Sequence, residues 1–539
     1  MKVKIIKPIP LEEECETDSY YMPSLGLSRL YMYLKNKGFD IVQQDLFKRH
    51  DRQNFQLYTE IRKSVSYYYD HIEELFDRDL SSEFIECVNH YITKEELVNI
   101  DVLLVSVYDC SHYSSVFGII VAKYFKSINP EGVVVLGGEW EQNPYALNNL
   151  DNLFRHNILD YYILDRGEKA LELLLNNLKC VETDLTNIPG LHYFEDGEIK
   201  KNIPSGVDIA FSADFDGVDL TQYYWTKAPF FAKRNPEKFI NKPLLMLPVQ
   251  HMTGCINKCA FCGYSASKCV SMRPVECVDN IERLYDKHGA RFFFFVDATL
   301  NISRKFITEF CDEIVKRNLE IYWTSCASFR GLDSPEIFHL LRKAGACRLI
   351  YGLETASPRL LKYINKGLDV GQVENGVRWS HEAGIWTDLE LIAGLPTEND
   401  SDLQCTLDFI NRNNRYISYV WLNRFFLTVG SIMYTHPEKY SIVNIRPMGG
   451  KLLDDYKNDI RYQYLFDEID GLKWEDKVNQ IENSFLLVRK ELEKYKLSYR
   501  DEKPEYTNAL LYLYSCLDRP KEIRRYFNMY VEAAMLNNV

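Results

Sequence analysis

The sequence predicts an α/β protein in three parts: an N-terminal doubly wound, Rossmann-like sheet over residues 1–203, a central partial (β/α)6 barrel over 244–446, and a mainly helical C-terminal domain over 447–539. Three observations carry this. Short, continuous apolar runs alternate with amphipathic helical stretches in two separate series, as strands buried on both faces require. Pro204, Pro229, Pro236 and Pro243 break the periodicity over 204–243, which is expected to be a linker. After Pro447 the chain is charged and helical, most clearly over 474–495.

In order, residues 3–6 and 41–42 read as strands flanking a helix over 25–37. Residues 48–99 lack a strand signal and read as a charged, aromatic-rich helical insertion. Strands resume at 101–107, 132–136 and 161–164, with helices over 116–126 and 168–178. Asp196-Gly197, between extended stretches, signals a hairpin that closes the domain. The second series places strands at 244–250, 291–296, 321–324, 348–353, 388–392 and 419–422. Ligands in such folds sit at the carboxyl ends of the strands. The C-terminal helices are expected to cover that mouth and keep water from it.

At 539 residues the chain is too long for one small module, taking roughly 150 residues per domain. Its 46% hydrophobic and 26% charged residues are ordinary for a globular protein. The 64 basic and 77 acidic side chains leave a net charge of −13, which argues against broad phosphate-backbone binding, so no nucleic-acid partner is expected. No run reaches the roughly 18 apolar residues of a membrane span, and the first ten residues do not form a secretory signal, so a cytoplasmic location is expected. The 14 cysteines are spread thinly and are expected to be mostly reduced thiols.

The exception is Thr253-Gly254-Cys255-Ile256-Asn257-Lys258-Cys259-Ala260-Phe261-Cys262-Gly263, a CxxxCxxC triplet directly after a strand. At this cysteine frequency such a triplet arises by chance about 0.01 times. Three thiolates on one tight loop can ligate three corners of an iron-sulfur cube and leave one iron open to a ligand. Competing readings are structural zinc with Cys269 or His251 as fourth ligand, a closed electron-transfer cluster completed by Cys269, and reduced cysteines without a metal.

The triplet, with Phe261 directly before its third cysteine, resembles the signature of the radical S-adenosylmethionine (SAM) superfamily. The likeness continues through Phe295-Val296-Asp297, Ala344-Gly345-Ala346-Cys347, Tyr351-Gly352-Leu353-Glu354-Thr355, Asn365-Lys366-Gly367 and Ile392-Ala393-Gly394-Leu395-Pro396-Thr397-Glu398, where Thr397 replaces the usual glycine. The resemblance implies a 4Fe–4S cluster on Cys255, Cys259 and Cys262. It also implies SAM bound near the Phe261–Gly263 backbone, Asp297, Arg330 and Glu354, and an external electron donor such as flavodoxin or ferredoxin. Bland readings of the last three residues are a helix cap or loop-amide acceptor, a surface ion pair and a structural hydrogen bond.

The first domain resembles the cobalamin-binding domain fused ahead of many radical SAM barrels. Pro23-Ser24-Leu25-Gly26-Leu27, Ser106, Leu136-Gly137-Gly138 and Arg166-Gly167-Glu168 carry the likeness. It implies cobalamin near Ser106, Gly137 and Gly138, without a lower axial histidine because Asp109-Cys110-Ser111-His112 lacks the DxHxxG spacing. Trp140 also departs from the family. The competing reading is that these glycines serve turn geometry alone.

The resemblance thus implies cobalamin-dependent C-methylation of a peptide or natural-product intermediate. The alternative is cobalamin-independent peptide modification, by epimerisation or cross-linking, in which Cys326 returns a hydrogen atom. A non-catalytic iron-sulfur protein is the third reading. The substrate is a peptide or another small molecule, and the aromatics Tyr223, Tyr224, Trp225, Phe230 and Phe231 read either as a peptide groove or as packing.

Overall fold

The computed structural model describes residues 1–9, 11, 22–48, 52–107, 112–138, 144–164, 166–180, 184–204, 211–240, 243–266, 268–447, 464–497 and 505–536. It divides into two compact units, residues 1–225 with 245–248, and 226–244 with 249–539.

The first unit is built on strands β1 (Lys2–Lys7), β2 (Asp40–Asp45), β3 (Val102–Ser106), β4 (Val133–Gly138), β5 (Tyr161–Leu164), β6 (Leu191–Glu195) and β7 (Glu198–Lys201). Their order is β2-β1-β3-β4-β5-β6-β7, with β1 to β5 parallel and β6 and β7 antiparallel. The Asp196-Gly197 turn joins the last two as the sequence predicts. Alternation along the strands explains the double winding. Val102 and Leu104 bury against helices Leu25–Asn36 and Gly167–Asn177. Leu103 and Val105 bury on the other face, with the insertion and helix His112–Ile128. The β2-β1-β3-β4-β5 order puts the topological switch between β1 and β3. Residues 108–111 and 139–143, beyond the carboxyl ends of β3 and β4 and including Asp109-Cys110-Ser111 and Glu139-Trp140, lie outside the described residues.

The second sheet has the order β15-β14-β13-β12-β11-β8, from β8 (Met246–Val249), β11 (Phe292–Phe295), β12 (Tyr322–Ala327), β13 (Ala346–Glu354), β14 (Trp386–Ala393) and β15 (Tyr419–Arg424). The pairs from β11 to β15 are all parallel. All six expected strands form. Intervening helices start on side-chain caps such as Ser303 and Ser357, each accepting a backbone N–H three residues on. Periodicity does not reveal three features: the two-residue strands β9 (Met252–Thr253) and β10 (Val270–Ser271) that bracket the cysteine loop, the hairpin β16 (Ile442–Pro447) and β17 (Tyr464–Glu468), and helix Pro144–Arg155.

The C-terminal helices divide: the first half of helix Trp474–Lys494 meets the carboxyl ends of β14 and β15, through Lys477 on the Leu395 carbonyl and Glu482 on Arg424, while helix Glu505–Cys516 departs from the expected mouth cover. Helix Trp474–Lys494 packs along β14 and β15, and helix Glu505–Cys516 packs near the amino-terminal ends of β12 and β13, where Arg348 donates to Thr507 Oγ1 at 2.7 Å. The barrel floor, rather than its mouth, is what this helix closes. Phe231 of the linker is buried among Phe239, Tyr512 and Tyr530, and Tyr223 and Trp225 are also buried, so these rings pack. No helix among the described residues is long and apolar enough to cross a membrane.

Gly138 has φ +120°, and a Cβ there would meet the Val107 carbonyl oxygen at 2.0 Å. Gly137 has more room, its nearest neighbour being the Ile163 carbonyl oxygen at 3.4 Å. Gly138→Ala is expected to destabilise the cofactor-free protein by about 1–3 kcal/mol, and Gly137→Ala by less. Denaturant unfolding of the two variants without cobalamin checks this; equal stabilities would refute it.

Candidate active site

The cysteine loop has little regular structure of its own, and its neighbours hold it. Asp297, just past β11 and 3% exposed, accepts from the His251 amide at 3.0 Å and the Met252 amide at 2.6 Å. Its other oxygen lies 2.9 Å from His251 Nδ1, while His251 Nε2 faces the Leu300 carbonyl at 3.0 Å. On the opposite flank, the Ala260 amide donates to Ile364, Asn365 Nδ2 donates to the Lys258 carbonyl, and the Met433 amide donates to the Ala260 carbonyl.

Cys255 and Cys259 are buried and Cys262 is half-buried. Burial raises the proton affinity of Cys259 and pushes the Cys262 thiol up to about 11. A thiolate there needs a compensating cation, which a metal supplies. The Asn257 amide donates to Cys255 Sγ at 3.4 Å, and the Tyr264 amide to the Cys262 sulfur. The three sulfurs do not all lie within 4.8 Å of one another. A tetrahedral ion bound at about 2.3 Å sets its sulfurs roughly 3.8 Å apart, so these three are not drawn together as around one zinc ion. His251, the other zinc candidate, is spent on Asp297 and Leu300.

Two expected SAM contacts turn out to be otherwise engaged. Asp297 holds the loop amides, the role its bland reading gave it. Among the described residues Arg330 makes no surface ion pair; it donates to the carbonyls of Lys366 at 2.7 Å and Gly367 at 3.2 Å. A Cβ on Gly367, whose φ is +64°, would fall 1.7 Å from the Arg330 guanidinium. Glu354 does face the interior. It is 5% exposed, adopts φ +70° next to an irregularity in the β13–β14 register, and pairs with Lys366 Nζ at 2.6 Å. Lys366 also sits 5.8 Å from the Phe261 ring. Gly263 lies close to Thr428, whose Cγ2 would be 3.4 Å from a Cβ there.

Two residues escaped sequence reasoning: Lys366, the partner of Glu354, and Glu390 on β14, whose carboxyl burial and the nearby Glu354 push up to about 7. A charged residue inside the apolar run Leu389–Ala393 was the available signal. Cys326 on β12 is half-buried and its thiol is pushed up to about 12, chiefly by burial. Ser106 and Gly137 are register partners at the carboxyl ends of β3 and β4.

Residues 249–410 match the radical SAM superfamily. This segment is a radical SAM domain. The radical SAM family uses a 4Fe–4S cluster and SAM, and the buried cysteine loop at the head of this domain suits that pair. Over 256 residues the chain is 28% identical to the anaerobic magnesium-protoporphyrin IX monomethyl ester cyclase of Cereibacter sphaeroides, covering 45% of this chain and 40% of that protein. Over 301 residues it is 26% identical to an uncharacterized methyltransferase of Pyrococcus horikoshii, covering 54% and 60% respectively. The chain thus spans about half the length of the curated relatives it matches. The radical S-adenosylmethionine methyltransferase TsrM of Kitasatospora setae, solved with cobalamin and a [4Fe-4S] cluster bound, shares the fold at TM-score 0.61 and 13% identity, over 99% of this chain and 100% of that one.

Replacing Asp297 by Ala strands two buried amides, at about 1–3 kcal/mol per unsatisfied group. Asp297→Ala is therefore expected to retain less iron per chain after anaerobic reconstitution. Iron and sulfide assays check this, and undiminished iron retention would refute the positioning role.

Proposed function

We propose that this chain is a radical SAM enzyme in which Cys255, Cys259 and Cys262 hold three corners of a 4Fe–4S cluster, and that it C-methylates a peptide or natural-product intermediate with cobalamin in its first domain. The observation that carries the reading is the CxxxCxxC set of three thiols on one loop, two buried and one half-buried, at the head of the segment that matches the radical SAM superfamily. When bound, the cluster and SAM supply a 5'-deoxyadenosyl radical on reduction, and cobalamin supplies the methyl group. The chain's own residues position and shield. Asp297, the Ile364 carbonyl and the Asn365 side chain fix the cysteine loop. Arg330 holds the Lys366 and Gly367 carbonyls, which keeps Lys366 against Glu354. Glu354 and Lys366 offer paired charges to the charged groups of SAM. The shared fold with TsrM and the partial match to a methyltransferase support the methylation reading.

A second reading keeps hydrogen abstraction and drops cobalamin. It is favoured by Gly138, whose lack of a side chain Val107 already explains, and by Cys326 on the inner wall as a hydrogen donor. An external flavodoxin or ferredoxin is the proposed reductant, and a peptide or small molecule the substrate.

Anaerobically reconstituted protein is expected to cleave SAM to 5'-deoxyadenosine on reduction, and Cys255→Ala, Cys259→Ala and Cys262→Ala each to fall to background in both iron content and cleavage. Corrin absorption bands in the purified protein favour methylation. Cleavage without corrin favours the second reading, and iron without cleavage overturns both.

A further inference from the structure

In parallel strands, register partners share a face. Thr324 pairs with Arg348, Cys326 with Ile350, Ile350 with Asp388, Gly352 with Glu390 and Glu390 with Trp421. These residues therefore line one continuous wall. Their neighbours on the opposite face, Ser325, Tyr351, Leu389 and Val420, are at most 1% exposed. Cys326, Gly352, Glu390 and Trp421 are only half-buried, so the wall borders open space.

Most charge on this wall is spoken for. Arg348 meets Asp388 at 2.6 Å, with Trp421 Nε1 on the same Asp388 oxygen at 3.2 Å, and Lys366 meets Glu354 at 2.6 Å. Glu390 makes no hydrogen bond and no ion pair with any described residue. Asp388 and Glu354 each have a cation within 2.6 Å, and Glu390 is the carboxylate that has none within ion-pair distance. Below Glu390, two further polar atoms are sealed from solvent without a partner among the described residues: Asp388 Oδ1, on a residue 0% exposed, and Thr324 Oγ1. Buried acceptors left open are costly unless a ligand or water satisfies them. The open set is predominantly acceptor, and its carboxylate, Glu390, has no cation within ion-pair distance among the described residues. A ligand cation rich in N–H donors complements it, and a primary ammonium brings three.

We propose that this inner wall binds an amine-bearing substrate, with Glu390 as the counter-ion of its ammonium group. The inference rests on the radical SAM reading and adds the substrate's chemical class to it. SAM itself carries an α-amino group beside its sulfonium, so the test keeps SAM bound and reads the added amine separately from it.

The test uses the full-length, cluster-reconstituted protein with SAM bound, and n-butylammonium and n-butanol as probes, by ligand-observed NMR. Wild type is expected to bind the ammonium about tenfold or more tightly than the alcohol. Glu390→Gln is expected to lose that preference, and Glu390→Asp to keep part of it. The preference is expected to fade as pH drops below about 7, because a carboxyl with a raised pKa is neutral on the acid side. The other titratable or charged groups of its surroundings are Glu354, Lys366, Asp388, Arg348 and Cys326. Equal binding of the two probes by wild type, or a preference that survives in Glu390→Gln, overturns the proposal. So does a result in which Glu390→Gln instead abolishes discrimination between SAM and S-adenosylhomocysteine and leaves the ammonium preference intact. Iron content and 5'-deoxyadenosine are read separately: protein without iron sinks the functional reading, whereas protein with iron and SAM cleavage but no ammonium preference sinks only this inference.

Discussion

Three thiols, two buried and one half-buried, on a loop with almost no internal hydrogen bonding must take their geometry from outside. Asp297 grips the entry of the loop through two amides and an imidazole, and the Ile364–Asn365 segment grips its middle. Neither grip touches a sulfur. The order of dependence runs from a carboxylate at the end of β11 to the backbone, and from the backbone to the thiols. Arg330 extends the chain one step further by bracing the segment that does the gripping. A site arranged this way is shaped before metal arrives, which lowers the ordering cost that binding must offset.

The same interior sets the electrostatics. Deep on the wall of β12 to β15, where Thr324, Arg348 and Asp388 are buried, each charge is costly unless paired. Arg348 with Asp388 and Lys366 with Glu354 meet that condition, and both pairs are closed at 2.6 Å. Glu390 is the exception, and its raised proton affinity is the direct result of burial beside another carboxylate. Functional sites are where proteins tolerate such exceptions.

The strands were legible because burial on both faces leaves an unbroken apolar run, and six such runs in series give the second sheet. The three cysteines were legible through spacing alone. What the sequence could not reveal is the partner of each polar residue. Asp297 and Arg330 stand where a cofactor contact was expected, and both hydrogen-bond to backbone groups; any residue supplies a backbone group, so no sequence pattern marks those partners. Lys366 stood in plain view within Asn365-Lys366-Gly367, but its pairing with Glu354 spans 12 positions and an irregular strand end. The hairpins around the loop and before helix Trp474–Lys494 are too short or too polar to register as strands.

Glycines deserve a separate argument, because a glycine at a strand end invites a cofactor reading. Gly138 is accounted for by the Val107 carbonyl, with no ligand invoked. Thr397 is the converse case. It holds φ +65°, a conformation that favours glycine, and it replaces the usual glycine of the strand-end motif. Arg359 stabilises it by donating to its hydroxyl at 3.1 Å and its carbonyl at 2.6 Å, while Glu468 accepts its amide at 3.0 Å. Three hydrogen bonds from side chains at sequence separations of 38 and 71 residues hold what a glycine would adopt unaided. Residue type at such a position therefore reports the local backbone and its supports, and evidence for a cofactor has to come from the groups that would touch it.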